Sequence, residues 1–168
     1  MPGSVVWQNI GGNDQNLTFG ILGGDESAGT AITCSDPWIG ESSNRLGYAV
    51  NLGWMSTLSS NFNGGEDDVA LPNTDEDFWE QRVGGGFQIM QQPTPEFGWA
   101  AGLSYQLLSV RNGMFSNKLF SEDEFGNTLT LSDDGTDTLL TANFALYLNE
   151  ANDLLYPTSG TRVQFGLD

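Results

Sequence analysis

The chain has 168 residues, with 22 acidic and 5 basic side chains, no histidine, one cysteine and 22 glycines. A formal charge of −17 excludes nucleic-acid binding through a basic footprint, because a phosphate backbone would be repelled. Without histidine neither a Ser-His-Asp triad nor histidine-ligated zinc can be built, and the single thiol, Cys34, cannot form an internal disulfide or a cysteine metal cage.

In chain order, the apolar residues recur with a period of two, which is the signature of half-buried strands. Val5-Val6-Trp7 begins as a truncated first strand. Leu17, Phe19 and Ile21 alternate with Thr18 and Gly20, and Thr30, Ile32 and Cys34 alternate with Ala31 and Thr33. From Leu46 to Thr57, Leu46, Tyr48, Val50, Leu52 and Trp54 oppose Gly47, Ala49, Asn51 and Gly53. Trp79, Val83, Phe87 and Ile89 then oppose Glu80, Arg82, Gly84, Gly86 and Gln88. The longest run, Phe97 to Val110, sets Phe97, Trp99, Ala101, Leu103, Tyr105 and Leu107 against Gly98, Ala100, Gly102, Ser104 and Gln106. Leu140 to Leu148 and Val163 to Leu167 complete the set. The pattern predicts seven strands, or eight with the truncated one, as one unit over residues 1–168.

Turn chemistry separates the runs: Gly11-Gly12-Asn13-Asp14, Gly23-Gly24-Asp25-Glu26, Asn63-Gly64-Gly65, Pro93-Thr94-Pro95, Asp133-Asp134-Gly135 and Pro157-Thr158-Ser159-Gly160. The Asn61–Asp77 and Arg111–Asp137 connections are long and acidic, whereas those near Asp25, Pro93 and Asn152 are tight. Short turns on one side and long loops on the other are what a transmembrane β-barrel shows. No stretch reaches the roughly 18 apolar residues of a membrane-spanning helix. The Met1-Pro2-Gly3-Ser4 start carries no signal-peptide pattern, so an export signal is not expected within this sequence.

Two readings of the alternation compete. A soluble barrel or sandwich turns its large apolar face inward to line a ligand cavity; a membrane barrel turns it outward to lipid. A solvated outer face is normally rich in Lys, Glu, Thr and Arg. Here the second face carries Gly, Ala, Ser, Asn and Gln, which suit a crowded lumen, and Tyr48, Trp54, Trp79, Trp99 and Tyr105 on the first face suit interfacial girdles. The membrane reading is favoured, with the soluble apolar-ligand module as its alternative.

Several segments resemble one family. Thr33-Cys34-Ser35-Asp36-Pro37-Trp38-Ile39 is similar to an "F-T-D-P-W-I" after an early barrel strand, with Cys34 where Phe is usual; Phe62-Asn63-Gly64-Gly65-Glu66 and Leu71-Pro72-Asn73 resemble "F-D-G-G…V-x-L-P-N". Arg82-Val83-Gly84-Gly85-Gly86 resembles "R-L-G-G-G", and Tyr105-Gln106 with Ser109-Val110-Arg111 resembles "Y-Q-x-V-S-x-R". Asp123 to Leu129, Asp137 with Leu139-Leu140, and the Asn152 to Arg162 turn match three further motifs in order. Together they resemble the cyanobacterial and chloroplast branch of the outer-membrane barrel-assembly family, also called bacterial surface antigen.

The resemblance implies an all-β, antiparallel transmembrane barrel of about eight strands, corresponding to the amino-terminal half of a sixteen-stranded barrel that periplasmic repeats precede. It implies a non-enzymatic role in protein insertion or transport at the outer membrane. Only part of the family's barrel is covered and its later "V-R-G-Y/F" motif has no counterpart, so a partial form without independent insertase activity is expected. A small stand-alone barrel with a structural role is the other outcome. Expected partners are the lipid bilayer, periplasmic repeats supplied elsewhere, and a second barrel-forming chain or another copy. The resemblance assigns structural roles to Asp36, Pro37, Trp38, Gly64, Gly65, Gly84, Gly85, Gly86, Pro157 and Gly160, and Arg82 and Arg162 are the candidate lumen-facing cations.

No catalytic residue, metal or cofactor is expected. The acidic clusters Glu66-Asp67-Asp68, Asp75-Glu76-Asp77 and Glu122-Asp123-Glu124 read as solvated loops rather than calcium sites, and Asp133-Asp134-Gly135-Thr136-Asp137 lacks the closing Glu of an EF-hand. Asp77 with Glu80 is a weak candidate for acid–base work without a defined pocket.

Overall fold

The computed structural model describes residues 2–12, 14–39, 45–59, 71–72, 78–151 and 158–167. Among them eight strands run in sequence: β1 (Pro2–Ile10), β2 (Gln15–Gly23), β3 (Ser27–Asp36), β4 (Leu46–Leu58), β5 (Trp79–Gln91), β6 (Phe97–Arg111), β7 (Thr136–Asn149) and β8 (Arg162–Leu167). Each pairs antiparallel with the next in one sheet of order β1-β2-β3-β4-β5-β6-β7-β8. The alternating runs of the sequence thus become consecutive neighbours, as in a meander built from hairpins. The truncated first run is a full strand of nine residues, because Val5↔Phe19 and Trp7↔Leu17 give it a partner of the same alternation.

Register turns the sequence alternation into two faces. Residues directly opposite one another in antiparallel strands point to the same side. One row across the sheet is Val5, Phe19, Ile32, Leu52, Gly85, Tyr105 and Leu140. The next is Trp7, Leu17, Cys34, Val50, Phe87, Leu103 and Ala142. Successive rows therefore stack one apolar surface over all the strands. A slip of one residue in any pair would send that strand's apolar set to the wrong side, so the pattern itself fixes the register.

These apolar residues remain open to the surroundings: Leu52 is 59% exposed, Leu103 58% and Leu140 69%. A water-soluble fold cannot leave such a surface uncovered without associating. Among the described residues, the apolar cluster that is buried in protein lies elsewhere, at one end of the sheet, where Leu71, Phe78, Val110, Phe120 and Leu129 pack together. Burying side chains of this kind contributes about 1.5–3 kcal/mol each relative to exposure. That cluster fastens the β4–β5 and β6–β7 connections to the sheet end.

The end that carries the two long connections also carries the Gly24–Glu26 turn, which is tight. The asymmetry between ends is therefore partial: three of the four connections at the opposite end are short or moderate, and one at the long end is too. Tyr105 also departs from the girdle expectation, since it sits mid-strand in β6 opposite Gly85 and Leu140. Trp54, Trp79, Trp99 and Tyr48 lie nearer strand ends.

Candidate functional site: the small-residue face

The second face is built from what the strands place between their large residues. One row runs Val6, Thr18, Thr33, Asn51, Gly86, Ser104 and Thr141, and a neighbouring row runs Asn16, Ser35, Ala49, Gln88, Gly102 and Asn143. A third runs Gly20, Ala31, Gly53, Gly84, Gln106 and Leu139. Hydroxyls, amides and bare backbone dominate. This surface can hold water and offer hydrogen bonds, and it carries few fixed charges.

The glycines are steric requirements where the sheet is most crowded. A Cβ at Gly86 would lie 2.9 Å from Asn51 Oδ1 and 3.1 Å from the Leu103 carbonyl oxygen, and one at Gly102 would lie 2.6 Å from Asn143 Oδ1. At Gly84 it would meet the Tyr105 carbonyl oxygen and the Gln106 side chain. Their absence leaves a hollow of about 540 Å³ over this face, bordered by Gly20, Ala31, Gly53, Asn51, Arg82 and Gln106. Gly85 points to the other, apolar face.

Arg82 stands on the small-residue face, opposite Met55 and Leu108, and pairs with Glu80 at 3.0 Å. Half of its side chain is exposed, so the pair is a surface ion pair of small energetic value. Arg162 has the same face parity, opposite Asn149, and is exposed. The two arginines lie on β5 and β8, with two strands between them. Asp77 lies outside the described residues, so its pairing with Glu80 is not brought to view; Glu80 instead accepts from Arg82 and, at 3.4 Å, from Ser59 Oγ.

The remaining motif residues are structural in their surroundings. Asp36 is buried at the end of β3, accepting from Gln15 Nε2 at 3.0 Å and from the Trp38 amide at 2.8 Å. That second bond is an Asx turn, which bends the chain through Pro37 and leaves Trp38 partly exposed beside the sheet end. Gly47 lies against this bend: a Cβ there would sit 2.7 Å from the Asp36 carbonyl oxygen. Gly160 has φ +117, and a Cβ there would strike Glu150 and Ala151. Gly64, Gly65 and Pro157 lie outside the described residues.

Two features were not legible as sites in the sequence. Asp123, inside an acidic cluster, is buried and organises its own loop. Burial opposes its ionisation, but the Asn127 side chain, and the Asn127, Phe125 and Gly126 backbones, outweigh that and hold its carboxyl below the usual range. The D-x-F-G-N spacing, an Asx turn followed by a glycine at φ +82, was the available signal. Asp134 is likewise held below the usual range by hydrogen bonds from Thr136 and Ser132 in an exposed turn. The second feature is Phe115, which stacks on Trp54 with ring centroids 5.6 Å apart and planes 17° apart. Among the described residues no three acids converge as a metal site.

An antiparallel sheet whose large apolar side is exposed and whose opposite side is small, polar and hollowed defines the wall of a transmembrane β-barrel. The family model described as the Omp85 superfamily domain matches residues 9–168, and the chain belongs to that superfamily. Its barrel resembles the crystal structure of BamA from Haemophilus ducreyi lacking POTRA domains 1-3, with a TM-score of 0.57 at 13% identity. The match covers 98% of this chain and 30% of that one. No curated protein sequence matches the chain. That membership places the chain among outer-membrane β-barrels.

Proposed function

We propose that residues 1–168 form one outer-membrane barrel unit that supplies part of the wall of a protein assembly or translocation channel of the cyanobacterial or plastid type, and that it does no insertase work by itself. It is not an enzyme in this reading. The observation that carries it is the open sheet: β1 and β8 are each paired on one side only among the described residues. Unpaired strand edges are not tolerated in hydrocarbon, where every backbone group must be satisfied internally. The functional wall therefore takes its missing neighbours from further barrel strands, a second barrel-forming chain or a second copy among the sources, and works with periplasmic repeats.

The small-residue face supports the transport part of the reading. A translocating polypeptide exposes its own backbone, and a surface of hydroxyls, amides and glycine backbone exchanges hydrogen bonds with it without trapping it. The motif residues Asp36, Pro37, Trp38, Gly84, Gly85, Gly86 and Gly160 hold strand ends and strand spacing in this account, while Arg162 adds a positive charge to the lumen and Arg82 an ion pair with Glu80.

The test is complementation by supply. The chain is reconstituted in liposomes with an unfolded outer-membrane barrel client, and client folding is followed by its heat-modifiable migration. The reading expects no acceleration over empty liposomes from the chain alone, and acceleration when the complementary strands and periplasmic repeats are co-reconstituted. Acceleration by the chain alone would overturn it.

A further inference from the structure

The outer surface carries a strip that the channel reading does not use. Gly85 interrupts the apolar side between Leu52 and Tyr105, its partners in register. The missing side chain leaves an open groove of about 540 Å³, bordered also by Phe19, Val83 and Leu107. Backbone packing sets this gap: a Cβ at Gly85 would come within 2.5 Å of the Asn51 carbonyl oxygen.

Above the groove, toward the long connections, the side becomes amphipathic. Trp54 stands two residues on from Leu52, and Phe115 of the β6–β7 connection folds over to stack on it while staying 74% exposed. Next comes the row Ser56, Gln81 and Ser109, in which Ser56 and Ser109 are buried, and beyond it Trp79 stands opposite Arg111, both half-buried. Arg111 follows Tyr105 by six residues and Leu107 by four, which at about 3.3 Å per residue puts it about 20 Å along β6 from the Gly85 level and about 13 Å from the groove's near border. One leaflet of hydrocarbon is about 15 Å deep, so a lipid whose chain lies in the groove would present its headgroup near Arg111.

The charge at Arg111 is available. Its guanidinium donates to Ser109 Oγ at 3.0 Å, the Ser116 carbonyl oxygen at 2.8 Å and Asn117 Oδ1 at 3.4 Å, all neutral, and it makes no ion pair among the described residues. The acids that register places closest to it are engaged elsewhere: Glu80, opposite Val110, pairs with Arg82, and Asp137, opposite Leu108, accepts from the Leu131 and Ser132 amides.

We propose that this strip is a seat for a lipid bearing an anionic phosphate headgroup, with the phosphate beside Arg111, the polar–apolar boundary at Trp54, Phe115 and Trp79, and an acyl chain in the Gly85 groove. The strip continues the lipid-facing surface, which fixes the occupant as a bilayer component. The chain's net charge of −17 opposes general attraction of anionic lipids, so any preference for them must be local.

The test uses the full chain in phosphatidylcholine vesicles doped with either brominated phosphatidylglycerol or brominated phosphatidylcholine as quencher, the Trp54 signal being taken as the difference from Trp54→Phe. One surface cation corresponds to about a fivefold preference for the anionic lipid. That preference should fall to near unity in Arg111→Gln, persist in Arg111→Lys, and shrink in the unmodified chain at high salt. Equal quenching by the two lipids, or a preference that neither salt nor Arg111→Gln diminishes, would overturn the proposal.

Discussion

Single residues decide whether strands can approach. At Gly47 a Cβ would press on the backbone of Asp36 and Pro37, whereas at Gly23 it would meet nothing within 4 Å. Gly47→Ala should therefore destabilise the folded chain by about 1–3 kcal/mol, the usual cost of overpacking, and Gly23→Ala by much less; urea unfolding midpoints in lipid vesicles make the comparison. Ser56 offers the opposite case. Its hydroxyl is fully buried and without a partner among the described residues. An unsatisfied buried hydroxyl costs about 1–3 kcal/mol, so Ser56→Ala is expected to be neutral or stabilising in the same measurement, and a clear loss would contradict the account. For Asp123 the sign follows from a carboxyl held below its unfolded value. Its contribution is complete above the unfolded pKa and is lost as pH falls through the lower folded one. Proteolysis of the 121–129 loop should accordingly stay slow at neutral pH and quicken only on strong acidification, while Asp123→Ala should quicken it at neutral pH and differ little from the unmodified chain in strong acid.

At the scale of elements, the strands were the most legible part of the sequence, because a period of two survives any tertiary context that keeps one side in lipid. Leu103, Tyr105 and Leu107 announce β6 from their spacing alone, and register follows because only one pairing stacks all apolar sets together. The connections were less legible. Their fold depends on contacts between distant segments, as when Phe120 and Leu129 meet Leu71 and Phe78 across the β4–β5 and β6–β7 connections. Nothing in the local spacing of Phe115 said that it would reach back to Trp54 on β4. That stack makes a prediction of its own. Aromatic pairs contribute about 0.5–1.5 kcal/mol beyond area burial, so Phe115→Ala should loosen the 112–118 turn, read as faster protease cleavage there with the strands unaffected. The candidate channel face was legible as residue types, but its hollow was not, since that depends on which small residues fall side by side.

For the whole molecule, the composition that excluded so much acquires a location. Glycines and amides line one side, large apolar residues the other, and much of the acidic charge lies in connections that the membrane does not contain. Among the described residues the sheet has two edges paired on one side only, and the proposed function gives those edges their neighbours in a larger enclosure. The claim on which everything else rests is that the odd positions of β6 meet lipid and the even ones meet the lumen. It is tested most directly by single cysteines at positions 103 to 108 in a Cys34→Ala background, spin-labelled in vesicles and probed with lipid-soluble oxygen and a water-soluble nickel chelate. The account predicts that labels replacing Leu103, Tyr105 and Leu107 collide with oxygen and those replacing Ser104, Gln106 and Leu108 with the chelate. Uniform exposure to the chelate, or the opposite alternation, would contradict it.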